Sequence, residues 1–368
     1  MNAPKLCLVI VAAVLATGSQ QSFLGHAQQS PMQGFADIQP IDAHVHVYIE
    51  TPALNAFLLR YNLHFLDIVV LDDRDPFYKS FQAQFNGAQS VIQGTPGHAA
   101  LCTTFSPYEF EDPGFADRAI RQLNENFEQG AVAVKIYKTI GMEIRKKDGT
   151  YLMPDDAVFQ PIYQDIAAHN RTVIAHLAEP TSCWQPPNPS SPDFDYYRDH
   201  PGEYAYAHPG WPSKEAILAA RDHMLEENPN LRVVGAHLGS MEVDVDEVAK
   251  RFDRYPNFAV DTAARVPYLM LQPSKKVRKF LIKYQDRVLY GTDFEMLPDA
   301  NVEKELSDLQ ETYALDWKYF STKETIEYKG HKVTGLGLPK SVLRKLYHEN
   351  AVRWFPGILA EPAKVSSQ

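Results

Sequence analysis

The sequence predicts an α/β chain closed into a (β/α)8 barrel of the TIM type. Short runs of apolar, largely β-branched residues recur along it and alternate with longer stretches of helical period. The runs are apolar almost throughout, which fits parallel strands buried on both faces. Eight such strand–helix units in succession suit a closed barrel. An open doubly wound sheet is the runner-up, but its glycine-rich first turn is missing, since Tyr48-Ile49-Glu50 follows the first run.

The strand runs fall at 38–47, 66–71, 99–105, 131–137, 172–177, 231–238, 258–262 and 288–291, the last ending on Thr292-Asp293. A helix over 115–129 repeats Ala119, Leu123 and Phe127 at a spacing of four and stops at Gly130. The stretch 155–169 has apolar residues at 158, 159, 162, 166 and 167. That over 213–227 opens on Ser213, an N-cap residue. Helices over 244–255 and 274–284 end against Pro256 and follow Pro273, and a terminal helix over 338–355 is entered at Pro339. Long connections follow strands four (137–154) and five (178–212), and the second carries Trp184, Tyr196, Tyr197, Tyr204, Tyr206 and Trp211. Long loops after barrel strands lie on the face where barrels place their chemistry. No repeat or linker divides the chain.

Residues 1–27 have the pattern of an export signal: Lys5, an apolar stretch over 6–17, and Gly25-His26-Ala27 before Gln28. That stretch is too short to span a bilayer comfortably. The expected product is a periplasmic or secreted barrel domain over 28–368, its core at about 38–356, with no stable membrane insertion after cleavage. The formal net charge of −10 and the lack of a basic stretch speak against nucleic acid, and a homo-oligomer stays open. Cys102 reads as core and Cys183 as a loop residue, and no disulfide is expected.

Ile41 to Val47 reads Ile-Asp-Ala-His-Val-His-Val. Side chains two apart on a strand share a face, so His44 and His46 aim two imidazoles at one point, as a metal requires. Barrel strands bring their C-terminal ends to one mouth, and those ends supply Lys135 on strand four, His176 on strand five, His237 on strand six and Asp293 after strand eight. Imidazoles with one carboxylate suit a divalent ion, Zn²⁺ first.

The order His-x-His, Lys, His, His, Asp resembles the metal-dependent amidohydrolase superfamily. The segments IDAHVHV, VAVKIY, VIAHLAEP, VVGAHLGS and VLYGTDF, with the late His348-Glu-Asn350-Ala-Val-Arg-Trp-Phe355, look most like its amidohydrolase-2 branch. The resemblance covers roughly 38–356. It implies that His44, His46, His176 and Asp293 hold the metal, one or two ions per chain, and that Asp293 also shuttles a proton. It places His237 beside the metal, polarising substrate or assisting proton transfer. Lys135 is either a carboxylated bridge between two metals, a substrate-binding residue or a structural ion-pair partner. Arg265, Tyr48 and Trp184 are candidate substrate contacts.

The activity that the resemblance implies is cleavage of an ester, lactone or amide bond of a small-molecule substrate by metal-activated water. The alternative is a lyase of the same branch, a decarboxylase or hydratase acting on a small aromatic or unsaturated acid.

Overall fold

One parallel sheet of nine strands organises the computed structural model, which describes Met32 and residues 34–360. The expected export segment, 1–27, lies outside the described residues. The strands are β1 (Ile41–Val47), β2 (His64–Ile68), β3 (Ala99–Thr104), β4 (Ala131–Ile136), β5 (Thr172–Ala175), β6 (Arg232–Gly235), β7 (Phe258–Asp261), β8 (Val288–Leu289) and β9 (Phe294–Met296). Their order is β8-β7-β6-β5-β4-β3-β2-β1-β9.

The expected eighth strand is split. β8 pairs with β7 and β9 pairs with β1, so one stretch of chain joins the two ends of the sheet. Between them the Ala43 N–H donates to Tyr290 O and the Asp293 N–H donates to His44 O, each at 2.9 Å. The two short strands together form the eighth stave of a TIM-type barrel.

The apolar residues divide into two layers. Inside the barrel sit Ile41 and Ala43, Leu66 and Ile68, Ala133, Ile174, Val234, Ala259 and Leu289, together with Trp354 and Phe355 from the C-terminal segment. Outside, Val134, Val173, Val233 and Val260 pack against the helices. The C-terminal segment plugs the end of the barrel where the strands begin. Asn350 donates from Nδ2 to Gln285 O (2.8 Å) and Val288 O (2.7 Å), and the Trp354 indole N–H donates to Asp286 O at 3.1 Å.

Helices form at Phe115–Glu128, Lys214–Glu227, Val245–Arg254 and Ser274–Lys283, close to the expected bounds. Ser213 caps the second, its side chain accepting from the Ala216 N–H at 3.2 Å. The helix expected over 155–169 begins as a 3-10 turn, Ala157–Phe159, before Gln160–Ala168. The terminal helix is not continuous: Lys340–Arg344 and Asn350–Trp354 flank a π-helical turn at Lys345–Glu349. Sequence reasoning named neither the helices Pro52–Tyr61, Phe81–Gly94 and Val302–Ser321 nor the hairpin of Thr325–Tyr328 with His331–Thr334. Cys102 and Cys183 are buried free thiols. Among the described residues no helix is long and apolar enough to cross a membrane.

Asn350→Ala strips one buried and one part-buried carbonyl of a donor, which should cost about 2 kcal/mol in a urea unfolding experiment. His64, at the start of β2, stacks on His98 with ring centroids 4.9 Å apart. Burial, helped by His98 and His348, pushes its imidazole down to about 4. The unfolded chain then takes up this proton first, so stability should fall as pH drops from about 6.5 towards 4. His64→Phe should make that fall shallower, as read from unfolding midpoints at several pH values.

Candidate active site

Most of the site follows from the columns of side chains facing the barrel interior. Along β4, β5 and β7 the interior residues Ala133, Ile174 and Ala259 are each succeeded, two positions on, by Lys135, His176 and Asp261. On β1 the interior residues are Ile41 and Ala43, whereas Val45 and Val47 pack outside. The parity changes where the β1–β2 register shifts, between Asp42 and Val45. That irregularity turns His44 and His46 inward.

Three predicted ligands converge. A ring nitrogen of each histidine and a carboxylate oxygen of Asp293 lie within 4.8 Å of one another. Asp293 Oδ1 stands 3.4 Å from His44 Nε2 and 3.6 Å from His46 Nε2. The other ring nitrogen of each histidine is already engaged. His44 Nδ1 donates to Asp261 Oδ2 and His46 Nδ1 donates to Ile68 O, both at 2.8 Å. These bonds fix the tautomers and leave both Nε2 lone pairs facing the centre. His176 stands outside the trio, its ring packed on His237 at 4.3 Å between centroids. Its Nε2 is buried without a hydrogen-bond partner, and the nearest carboxylate oxygen is Glu179 Oε1 at 3.6 Å. Burial pushes His176 down to about 4 and holds His44 and His237 below the ordinary histidine value. Neutral imidazoles, one carboxylate and an orphaned buried nitrogen suit a divalent metal.

His237 sits in an unusual backbone. His237, Leu238, Gly239 and Ser240 all have left-handed φ, between 57° and 61°, a conformation that persists only when its surroundings impose it. Asp261 Oδ1 accepts from the His237 N–H at 2.8 Å, Arg221 donates to Gly239 O at 2.6 Å, and Ser240 Oγ lies 2.8 Å from Leu177 O and from Ala178 O. His237 Nδ1 donates to Ala263 O at 2.9 Å, so its Nε2 carries the lone pair. Asp293 too is left-handed, with φ 69°.

Lys135 is buried beneath His44, its Nζ 2.9 Å from His44 Nε2. Among the described residues no carboxylate lies within 4.0 Å of that Nζ, so the ion-pair expectation finds no partner. Lys135 does not line the cavity over the His–Asp cluster either. That cavity, of about 420 Å³, opens over His46, His176, His237 and Asp293 and is walled by Tyr78, Tyr137, Tyr196, Tyr197 and Tyr328. Arg265 lines it and is only 7% exposed. Its Nη1 donates to Ala264 O at 3.1 Å, while its Nε is buried without a partner.

Tyr48 and Trp184 do not line this cavity. β1 ends at Val47, and the Tyr48 ring turns behind His46, its hydroxyl donating to Ile68 O at 2.6 Å. The Trp184 indole N–H donates to Pro212 O at 3.1 Å, which ties the ring into its own loop. Sequence reasoning missed Asp261, Glu179 and Lys138. The last two form a buried pair at 2.5 Å on the cavity wall.

The sequence profile of the amidohydrolase family, in its amidohydrolase-2 form, matches residues 41–357, and the chain belongs to that family. It is an enzyme of the metal-dependent amidohydrolase superfamily. No curated protein matches the sequence. Among solved structures, 2,6-dihydroxybenzoate decarboxylase in complex with 2,6-dihydroxybenzoate is similar at 14% identity, covering 86% of this chain and 98% of its own, with a TM-score of 0.49. An uncharacterised TIM-barrel protein from Bordetella bronchiseptica is similar at 13% identity, with coverages of 87% and 99% and a TM-score of 0.48. A dihydroorotase from Campylobacter jejuni gives 11% identity, coverages of 85% and 82% and a TM-score of 0.43.

Asp261→Asn puts an amide N–H against either His44 Nδ1 or the His237 N–H. Loss of such a supporting partner should weaken metal binding by about 10–100-fold, measured by chelator competition on the folded variant.

Proposed function

We propose that the chain is a divalent-metal-dependent lyase that acts on a small aromatic or unsaturated carboxylic acid, as a decarboxylase or hydratase. The observation that carries this reading is Arg265. A buried guanidinium N–H without a partner is costly, and the side chain that carries it lines the same tyrosine-walled cavity as the His–Asp cluster. A substrate carboxylate would satisfy it, and a planar substrate would pack on the tyrosine rings.

His44, His46, His176 and Asp293 would hold the metal, Zn²⁺ first. A bound divalent ion supplies a Lewis acid for substrate oxygens. Around it the chain's own groups do the remaining work. Arg265 and the tyrosines orient the acid. His237 presents Nε2 for proton transfer, because Ala263 O holds its Nδ1–H. In decarboxylation the bond to the carboxylate carbon breaks, its electron pair stays on the substrate carbon, CO₂ leaves, and that carbon takes one proton. The proton comes from water, and the Asp293 carboxylate and the His237 Nε2 lone pair are the groups placed to take it up and pass it on.

Hydrolysis of an ester, lactone or amide is the second reading. It is favoured by the Asp293 side chain, part-exposed on the cavity, which can accept a proton from attacking water. If two ions are bound, a carboxylated Lys135 would be the residue that helps hold the second. Export through residues 1–27 is part of the same proposal.

The experiment is elemental analysis of the purified protein, paired with a panel of aromatic acids, lactones, esters and amides assayed for CO₂ release and for hydrolysis. CO₂ release that needs the metal supports the lyase, whereas turnover of neutral esters alone overturns it. Arg265→Met should raise KM for acids by about 30-fold or more while metal content stays the same. Asp293→Asn should abolish turnover in a folded protein. Lys135→Ala should lower the metal count if two ions are bound.

A further inference from the structure

A second cavity, of about 720 Å³, lies beside the one over the His–Asp cluster. The long connection after β5 builds most of it, closed on one side by Val243, Tyr268 and Leu271. Pro192 and Tyr197 line both cavities, so the two adjoin. Asp193 stands at the junction. Its Oδ2 accepts from Ser182 Oγ at 2.8 Å and from the Tyr268 hydroxyl, and its Oδ1 lies 3.9 Å from Arg265 Nη1. The carboxylate that faces Arg265 is therefore held back by two hydroxyls on the far side. The second cavity itself is lined by prolines and aromatic rings, and its rim leaves Val243 52% and Leu271 40% exposed. Its volume is that of a small-molecule site rather than a packing defect.

We propose that this cavity is a subsite for an apolar arm of the substrate. The substrate is then a two-part molecule, with an acid head at Arg265 and an alkyl or aryl arm that passes Pro192 and Tyr197 into the loop cavity. The inference rests on the acid-head reading above for its orientation. A chemically bare small acid would leave the second cavity to water. An arm buries apolar surface there, and each methylene placed in it should tighten binding about fourfold.

Calorimetric titration of the full chain loaded with Zn²⁺ tests this, with benzoate, 4-methylbenzoate, 4-propylbenzoate and 4-hexylbenzoate as probes. Affinity should climb along the series. Leu271→Asp combined with Val243→Asp should flatten the climb and leave the benzoate Kd unchanged; both positions are exposed, and a thermal melt confirms that the variant folds. Arg265→Met should weaken every probe by a similar factor without changing the slope. A flat wild-type series, or a slope that survives the double substitution, overturns the subsite. If Arg265→Met leaves benzoate binding untouched while the double substitution still removes the slope, the arm subsite stands and the acid-head reading falls.

Discussion

The carboxylate of Asp261 is the constraint on which the site depends. One oxygen holds His44 Nδ1, and the other holds the backbone N–H of His237. A single side chain from β7 therefore sets the tautomer of a histidine on β1 and pins the left-handed turn that follows β6. Buried polar groups of this kind are stable only when all their bonds are made together. The same oxygen also accepts from the Ala263 N–H at 3.1 Å, and Ala263 O in turn holds the His237 ring. Strands one, six and seven thus share one hydrogen-bond network at their mouth ends.

A second network positions the loops above the site. Lys138, just past β4, pairs with Glu179 after β5 and with Glu203 farther along the same connection. Arg74, in the loop after β2, reaches Asp72 and Glu143 at 2.7 Å and Glu203 at 3.1 Å. Glu203 therefore anchors the long connection to loops from two other strands. Tyr197, which separates the two cavities, donates to Glu179 Oε2 at 3.1 Å. The cavity wall and the loop anchor are parts of one arrangement.

The barrel and the strand ends that carry the candidate ligands were readable because apolar runs and their terminal polar residues carry a period. The period of two correctly groups His44 with His46, yet it cannot say that they face inward, since Ile41 and Ala43 also face inward. Only the register shift between Asp42 and Val45 resolves the conflict. Asp261 was within reach of the same reasoning, lying two residues beyond Ala259 at a strand end as Lys135 does beyond Ala133. Glu179 and Lys138 were not, because past the last strand residue no period fixes where a side chain points. The helix Val302–Ser321 was legible in Leu306, Leu309, Tyr313, Trp317 and Phe320, all buried at helical spacing. Tyr48 misled because the strand ends one residue before it.

The split final stave has a further consequence. Asp293 lies in the break between β8 and β9, and its own N–H makes one of the hydrogen bonds that close the sheet onto β1. Asp42 of β1 accepts from the backbone and side chain of the neighbouring Thr292, at 3.0 and 2.6 Å. Barrel closure and the arrival of the candidate carboxylate ligand are therefore the same structural event. A chain whose last stave has not docked has its histidines but no complete donor set. An ion held by this set would draw its affinity partly from the free energy of closing the barrel, and its occupancy would in turn lock the last stave in place.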